Sequence, residues 1–110
     1  MKTIYCITGA SGHLGNVIVR QLVRDQKTVR VLLLDNDPAP ILSGLAIERI
    51  YGNVTRIDSL HPFFAHKEDE ELIVIHAAGI ITIYSKMFPL LRKVNIEGTR
   101  NMLTLAKQYR

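Results

Sequence analysis

Four short apolar runs divide the chain, and stretches rich in polar and charged residues separate them. The runs cover residues 3–7, 28–34, 46–51 and 72–75, and they are rich in aliphatic and β-branched residues. Runs of this length and composition are typical of buried strands. The last run contains no polar residue at all, as expected of a strand in a parallel sheet that is covered on both faces. The pattern therefore predicts four strands.

The segments between these runs predict helices. Leu14, Ile18 and Leu22 recur every fourth residue after the first strand, which is typical of a helix packed on a sheet. A loop with a short helical turn is predicted over 39–45, and a short helix over 56–64, where Pro62 limits its length. A long helix is predicted from Pro89 to the end of the chain.

Strands that alternate with helices favour an α/β fold with a parallel sheet. Because the second strand should lie beside the first, and the fourth on its other side, the expected fold is a Rossmann-type parallel sheet of order 3-2-1-4 with flanking helices. Gly98 lies inside the last helix, where glycine costs about 1 kcal/mol relative to alanine. We therefore expect close packing against that residue.

The turn between the first strand and the first helix is rich in glycine. Gly9 permits a tight turn, Gly12 lets the backbone approach a phosphate without a Cβ, and Gly15 lets the helix lie close to the strand. The free N–H groups and positive dipole end of that helix favour an anion, and Ser11 adds a hydroxyl donor. This segment predicts a phosphate site, and a purely structural turn is the alternative.

Asp35 follows the second strand, 20 residues after Gly15. A right-handed crossover places the tip of that strand beside the glycine turn, where a carboxylate can accept hydrogen bonds from both hydroxyls of an adenosine ribose. The same carboxylate repels a 2′-phosphate, and Leu34 stands where an arginine would favour one. This position favours NAD over NADP. A helix N-cap or a turn ahead of Pro38 is the alternative role.

Two further segments follow the ends of predicted strands. After the third strand, Asn53 offers an amide and Val54 an apolar wall to an adenine, or the segment 52–55 forms only a turn and a cap. After the fourth strand, His76 precedes Ala77, Ala78 and Gly79, small residues that leave room for a ligand at the topological switch point. A packed, hydrogen-bonded role for His76 is favoured over a catalytic base, because the sequence supplies no orienting carboxylate.

Composition excludes several classes of protein. The net charge is +4 and the pI about 9.5, but the basic residues are dispersed and not interleaved with aromatic residues, so they favour solvated faces over a nucleic-acid site. No apolar run approaches the ~18 residues of a membrane helix, and the stretch after Lys2 predicts a strand and not a signal peptide. His61 and His66 lack partners at the spacing of metal ligands and are expected at the surface.

The single cysteine, Cys6, lies in the middle of the first strand and is expected to be a small buried hydrophobic residue. One cysteine excludes an internal disulfide and suits a reducing, cytoplasmic compartment.

Five motifs, in order along the chain, resemble those of the extended short-chain dehydrogenase/reductase family, in particular its epimerase/dehydratase and hydroxysteroid-dehydrogenase-like group. They are the glycine turn 8–15, Asp35, the segment 52–55, the segment 76–79 and the helical segment 94–99 that contains Asn95. The resemblance implies that residues 1–110 are the N-terminal portion of an NAD(P)-binding Rossmann domain, incomplete relative to the family.

The same resemblance assigns the cofactor contacts. It places the pyrophosphate at the glycine turn, the ribose at Asp35, the adenine at residues 53 and 54, where the family usually has Asp in place of Asn53, and the nicotinamide at residues 77–79. The implied NAD-binding residues are Gly9, Ser11, Gly12, His13, Leu14, Gly15, Asp35, Asn53, Val54, Ala77, Ala78 and Gly79.

The catalytic pair of that family is not found in this sequence. Family members carry a tyrosine and, four residues later, a lysine that lowers the pKa of the phenol. Here the one close pair, Tyr84 and Lys86, is two residues apart and precedes the Asn95 segment, whereas the family's pair follows it. We expect a partial dehydrogenase or epimerase domain that holds a dinucleotide and has no catalytic residue. The alternative is a stand-alone, non-catalytic nucleotide-binding or scaffold module that self-associates through the unpaired edge of its fourth strand.

Overall fold

The computed structural model of the protein describes residues 1–77 and 93–109. Its strands and helices, in chain order, are β1 (Lys2–Thr8), α1 (His13–Arg24), β2 (Thr28–Leu33), β3 (Glu48–Tyr51), α2 (His61–Phe64), β4 (Glu70–His76) and α3 (Thr99–Gln108). Short 3-10 turns occupy Pro40–Leu42 and Ile57–Leu60, and a π-helical segment, Lys93–Gly98, leads directly into α3.

The four strands form one parallel sheet in the order β3-β2-β1-β4, which confirms the predicted topology. Thr8 at the end of β1 is paired with Leu32 on one side and His76 on the other. Leu33 at the end of β2 is paired with Tyr51 at the end of β3. All four strands therefore end at the same edge of the sheet, where ligands bind in open α/β folds.

Alternating side chains divide the core between the two faces of the sheet. On one face α1 and the first 3-10 turn cover the sheet, in a cluster that includes Ile7, Val19, Val29, Val31, Leu33 and Leu42. On the other face α2 and α3 cover it, in a cluster that includes Ile4, Cys6, Leu32, Leu60, Phe63, Phe64, Met102 and Leu105. The predicted burial of Cys6 is confirmed, and burial raises the pKa of its thiol to about 11.

Several predicted boundaries were wrong by a few residues. β2 ends at Leu33, which pairs with the last residue of β3. Leu34, the last residue of the apolar run, lies beyond this pairing and is 56% exposed. The segment predicted as one short helix is a 3-10 turn followed by α2, and Pro62 lies in the first turn of α2, where proline is tolerated, instead of limiting the helix. Residues 89–92 of the predicted long helix lie outside the described residues, and 93–108 is helical.

Arg30 was wrongly grouped with the solvated basic residues. It is buried in β2, where Nε donates to Glu48 Oε1 of β3 at 2.8 Å. Its Nη1 donates to the carbonyl oxygens of Phe63 and Ala65, each at 2.8 Å. These carbonyls lie at the end of α2, where the helix cannot satisfy its own acceptors. One arginine therefore joins β2, β3 and the crossover to β4.

His61 is also less exposed than predicted. Its Nδ1 lies 2.7 Å from the hydroxyl of Tyr109 at the end of α3, so it joins α2 to α3, whereas His66 is exposed as expected. None of the helices in the described ranges is long and apolar enough to cross a membrane.

Candidate functional site

The glycine turn has the geometry that its spacing predicted. Gly9 adopts a φ of 70°, which is accessible to glycine at little cost, and its carbonyl accepts the N–H of Gly12 at 3.0 Å. A Cβ added to Gly15 would lie 2.0 Å from the Gly9 carbonyl oxygen, so only glycine permits α1 to approach β1 this closely. The turn and the start of α1 thus form one tightly packed unit.

The beginning of α1 has backbone donors that no side chain satisfies. Gly12 is its N-cap residue and carries no capping side chain, and the first turn contains no acidic residue. The N–H of Asn16 donates to the Gly12 carbonyl, and the helix N–H groups that precede it lack partners within the helix. Ser11, His13 and Leu14 are exposed around this helix start. An anion can approach here, with the helix dipole in its favour.

Asp35 lines a cleft at the same edge of the sheet. The cleft has a volume of about 410 Å³ and is lined by Leu34, Asp35, Asn36, Asp37, Gly52, Asn53 and Arg56. Asp35 is exposed in the turn that closes with a hydrogen bond of 2.9 Å from the Asp37 N–H to the Leu34 carbonyl. Its carboxylate is therefore accessible to a ligand that lies across the ends of β2 and β3.

The segment 52–55 is held by its own hydrogen bonds. Asn53 Oδ1 accepts from the backbone N–H of Thr55 at 2.9 Å and from its hydroxyl at 2.7 Å, and the Asn53 N–H donates to Ser59 Oγ at 2.9 Å. Val54 is buried in the core, and its carbonyl accepts from Asn101 Nδ2 at 2.9 Å. Asn53 therefore stabilises the turn, as one of the two predicted alternatives had it, whereas the cap predicted at Thr55 is not seen: Arg56 is the N-cap of the 3-10 turn and no side chain caps it.

The end of β4 lies against the glycine turn. His76 Nδ1 lies 2.7 Å from the Thr8 hydroxyl and its Nε2 3.1 Å from the Thr99 hydroxyl, which confirms the packed, hydrogen-bonded role predicted for it. Burial lowers the pKa of His76 below its ordinary value. The N–H of Ala77 donates to the Thr8 carbonyl at 3.3 Å.

The fold brings the glycine turn, Asp35, Asn53 and Ala77 to one edge of the sheet, whereas Val54 points into the core. The predictions for Ala78 and Gly79 lie outside the described residues. Two features were missed: Arg56 in the cleft, whose position after the 52–55 segment was the available signal, and the contacts of Thr8 and Thr99 with His76. Within residues 1–77 and 93–109, no group of three or more His, Cys, Asp or Glu side chains could hold a metal ion.

Comparison with known proteins covers nearly the whole chain. The sequence model of the 3-beta hydroxysteroid dehydrogenase/isomerase family matches residues 6–110. The chain is 29% identical to human 3 beta-hydroxysteroid dehydrogenase type 7 over 97% of this chain and 30% of that protein. It is 31% identical to sterol demethylase protein B of Methylococcus capsulatus over 93% of this chain and 30% of that protein. The chain thus spans about three tenths of the length of these curated relatives.

Solved structures share the fold. A UDP-glucose 4-epimerase superposes with a TM-score of 0.80 at 22% identity, over 96% of this chain and 32% of that one. A short-chain dehydrogenase/reductase superfamily protein from Agrobacterium tumefaciens with bound NAD superposes with a TM-score of 0.74 at 24% identity, over 96% of this chain and 29% of that one.

Proposed function

The chain belongs to the 3-beta hydroxysteroid dehydrogenase/isomerase family, and on this premise we propose that its 110 residues form the NAD-binding portion of an NAD-dependent dehydrogenase or epimerase. The observation that carries the proposal is the uncapped start of α1, pressed against β1 at Gly15 and lying at the same edge as the Asp35 cleft. These features fit a dinucleotide, whose phosphates need backbone donors and whose ribose needs an acceptor.

The family resemblance assigns residues to the parts of NAD, and the geometry of this edge supports that assignment. The pyrophosphate lies on the turn and helix start formed by Gly9, Ser11, Gly12, His13, Leu14 and Gly15. Asp35 accepts hydrogen bonds from the adenosine ribose, and Asn53 contributes its Nδ2 group on the adenine side. Val54 supports this segment from the core. Ala77 is assigned to the nicotinamide side, where the family resemblance also puts contacts of Ala78 and Gly79, two residues outside the described ranges.

Bound NAD supplies a hydride acceptor, while this chain supplies its binding and orientation. None of the four tyrosines is followed by a lysine four residues later, so the tyrosine–lysine pair on which this family relies for proton transfer is not among these 110 residues. We infer that the chain binds NAD and does not turn over a substrate by itself. NAD-dependent oxidation of a 3β-hydroxysteroid by the purified chain would overturn this part of the proposal.

Thermal unfolding in the presence of NAD and of NADP tests the cofactor site. NAD should raise the melting temperature of the chain, since a ligand that binds the folded state stabilises it, and NADP should raise it less because Asp35 repels the 2′-phosphate. Asp35→Asn should weaken NAD binding about tenfold and reduce the preference over NADP.

Asp69→Asn is the matched control, because Asp69 is an exposed aspartate just before the amino end of β4, away from the ligand edge. It should behave as the unmodified chain. Equal shifts with both nucleotides, or an Asp35→Asn variant that binds NAD normally, would contradict the assignment of Asp35. No shift with either nucleotide would contradict NAD binding itself.

A second candidate function, self-association through β4, is favoured by the apolar surface at that strand. In the described part of the chain β4 pairs with β1 alone, and Ile73 is 42% exposed. On the opposite face, Leu72 and Val74 line a cleft of about 490 Å³ together with Ala106 of α3. Leu103, one turn before Ala106, is 63% exposed. Within the described residues this edge has no second strand and carries apolar side chains on both faces, which favours pairing with a second copy.

Mass measurement in solution by light scattering tests this second candidate. A discrete dimer that Ile73→Lys converts to a monomer would support it, because a lysine on an edge strand opposes pairing. Ile41→Lys is the matched control, since Ile41 is also 42% exposed but lies in the 3-10 turn after β2. A monomeric unmodified chain, or a dimer that Ile73→Lys leaves intact, would contradict pairing through β4.

A further inference from the structure

His76 lies between two threonine hydroxyls that come from different elements. Its Nδ1 is 2.7 Å from Oγ1 of Thr8, the last residue of β1, and its Nε2 is 3.1 Å from Oγ1 of Thr99, the first residue of α3. Thr8 is fully buried, and His76 and Thr99 are partly buried. The imidazole thus connects the strand that leads into the glycine turn with the helix that covers this face of the sheet.

Thr8, His76, Thr99 and the Asn95 carbonyl form a row of hydrogen bonds. The hydrogen atoms in this row can be assigned because a carbonyl oxygen can only accept. The Thr99 hydroxyl donates to the Asn95 carbonyl at 3.0 Å, so its oxygen accepts the hydrogen of His76 Nε2. Nδ1 then carries the lone pair and accepts the hydroxyl hydrogen of Thr8. We therefore assign the row one direction, from Thr8 through a neutral imidazole with its hydrogen on Nε2 and Thr99 to Asn95.

This row of hydrogen bonds fixes the residue at which the glycine turn begins. Thr8 immediately precedes Gly9, and its carbonyl also accepts the N–H of Ala77. The helix that carries Thr99 is itself fixed to the 52–55 segment, because Asn101 Nδ2 donates to the Val54 carbonyl. A displacement of Thr8 would therefore be transmitted to the backbone donors that follow it.

We propose that His76 is a positioning residue. Thr99 orients its imidazole, the imidazole holds the Thr8 hydroxyl, and these contacts fix the glycine turn in the conformation that binds NAD. This inference rests on the proposed function. A turn that is already in its binding conformation loses less conformational entropy when the ligand binds, so the row increases affinity without touching the ligand. Burial lowers the pKa of His76 and keeps the imidazole neutral, and the groups that face it from β1 and α3 are uncharged hydroxyls.

The test compares two threonines of α3. Thr99→Val keeps the size of the side chain but removes the oxygen that accepts from His76. Thr104→Val is the matched control, because the Thr104 hydroxyl donates to the Arg100 carbonyl at 2.9 Å in the same local geometry, on the exposed side of the helix. By calorimetry, Thr99→Val should weaken NAD binding about five- to tenfold, Thr99→Ser should restore it, and Thr104→Val should leave it unchanged.

Nitrogen NMR of the His76 ring provides a second measurement that does not need NAD. The unmodified chain should show the Nε2–H tautomer, and Thr99→Val should shift the Nε2 resonance. The proposal is overturned if Thr99→Val and Thr104→Val bind NAD equally well, or if the ring carries its hydrogen on Nδ1. If the unmodified chain binds no NAD, the proposed function fails, and this is distinct from a chain that binds NAD but is indifferent to Thr99→Val.

Discussion

The glycine turn 9–12 and the segment 52–55 both follow parallel strands at the same edge of the sheet, yet their polar groups are used differently. In the glycine turn the backbone donors at the start of α1 have no capping side chain. In the segment 52–55 the amide oxygen of Asn53 is bonded to Thr55, and the Val54 carbonyl is bonded to Asn101. The first segment leaves backbone donors for the anion proposed above, whereas the second uses its polar groups to keep its shape and to fix α3.

The largest effect is expected where the glycine turn has no spare space. Gly15→Ala should reduce the free energy of unfolding by more than about 3 kcal/mol, because its Cβ would lie 2.0 Å from the Gly9 carbonyl oxygen and neither backbone can yield. Urea denaturation followed by circular dichroism measures the loss. Gly12→Ala is the control, since its Cβ would lie 3.3 Å from the same oxygen, and it should cost at most about 1 kcal/mol. Equal losses for the two variants would contradict the difference in packing.

Gly98 tests the packing of the segment 52–55 against the last helix. A Cβ on Gly98 would lie 2.7 Å from Val54 Cγ2, so Gly98→Ala should cost about 1–2 kcal/mol even after the gain in helix propensity. Val54→Ala makes room for that Cβ, so the double variant should be more stable than the sum of the two single losses predicts. A double-mutant cycle in urea measures the coupling. Strict additivity would show that the two residues do not press on one another.

Asn53 tests the hydrogen bonds that hold the segment 52–55 in shape. Asn53→Ala removes the acceptor for both groups of Thr55 and should cost about 1 kcal/mol of stability. Asn53→Asp retains an acceptor at the same position, matches the residue usual in the extended short-chain dehydrogenase/reductase family and should be close to neutral. Thermal melts measure both. An Asn53→Ala chain as stable as the unmodified one would show that the bonds to Thr55 do not stabilise this segment.

The smallest effect is expected from the protonation of His76. Its pKa is lowered in the folded chain, so below the ordinary value of 6.5 the unfolded chain binds a proton more readily than the folded one. Stability should therefore fall as the pH drops from 6.5 towards the lowered pKa, and the contribution is complete at neutral pH. Melts recorded between neutral and mildly acidic pH should show this slope, and His76→Gln should reduce it. If His76→Gln leaves the pH dependence of stability unchanged, that dependence arises from other titratable groups.

Much of the fold and of the ligand edge follows from local patterns. The sheet order could be predicted because a strand, a glycine turn and a helix that follow one another directly leave few arrangements for the later strands. The close packing at Gly15 and at Gly98 was also predictable, since glycine inside a helix or at its start is seldom retained without a contact that excludes a Cβ. The hydrogen-bonded role of His76 followed from the lack of a carboxylate partner.

The remaining features depend on contacts between residues distant in sequence. Arg30 lies in an apolar strand and looks like a solvated cation until the carbonyls of Phe63 and Ala65, more than thirty residues away, meet its guanidinium. The two roles of Asn53 could not be separated from spacing, because Ser59 and Thr55 satisfy it only in the folded loop. Likewise, the partners of His76 at positions 8 and 99 share no local pattern with it.

The pairing of β1 with β4 has a consequence for the order in which the chain folds. Thr8 and His76 are partners across 68 positions, whereas β1, α1 and β2 are consecutive. Because closing a long loop is slow, β4 should join the sheet last. Until it does, β1 is temporarily an edge strand, with the backbone groups on its β4 side unpaired. A nascent chain that ends before β4 therefore exposes this strand edge and is prone to aggregation through it.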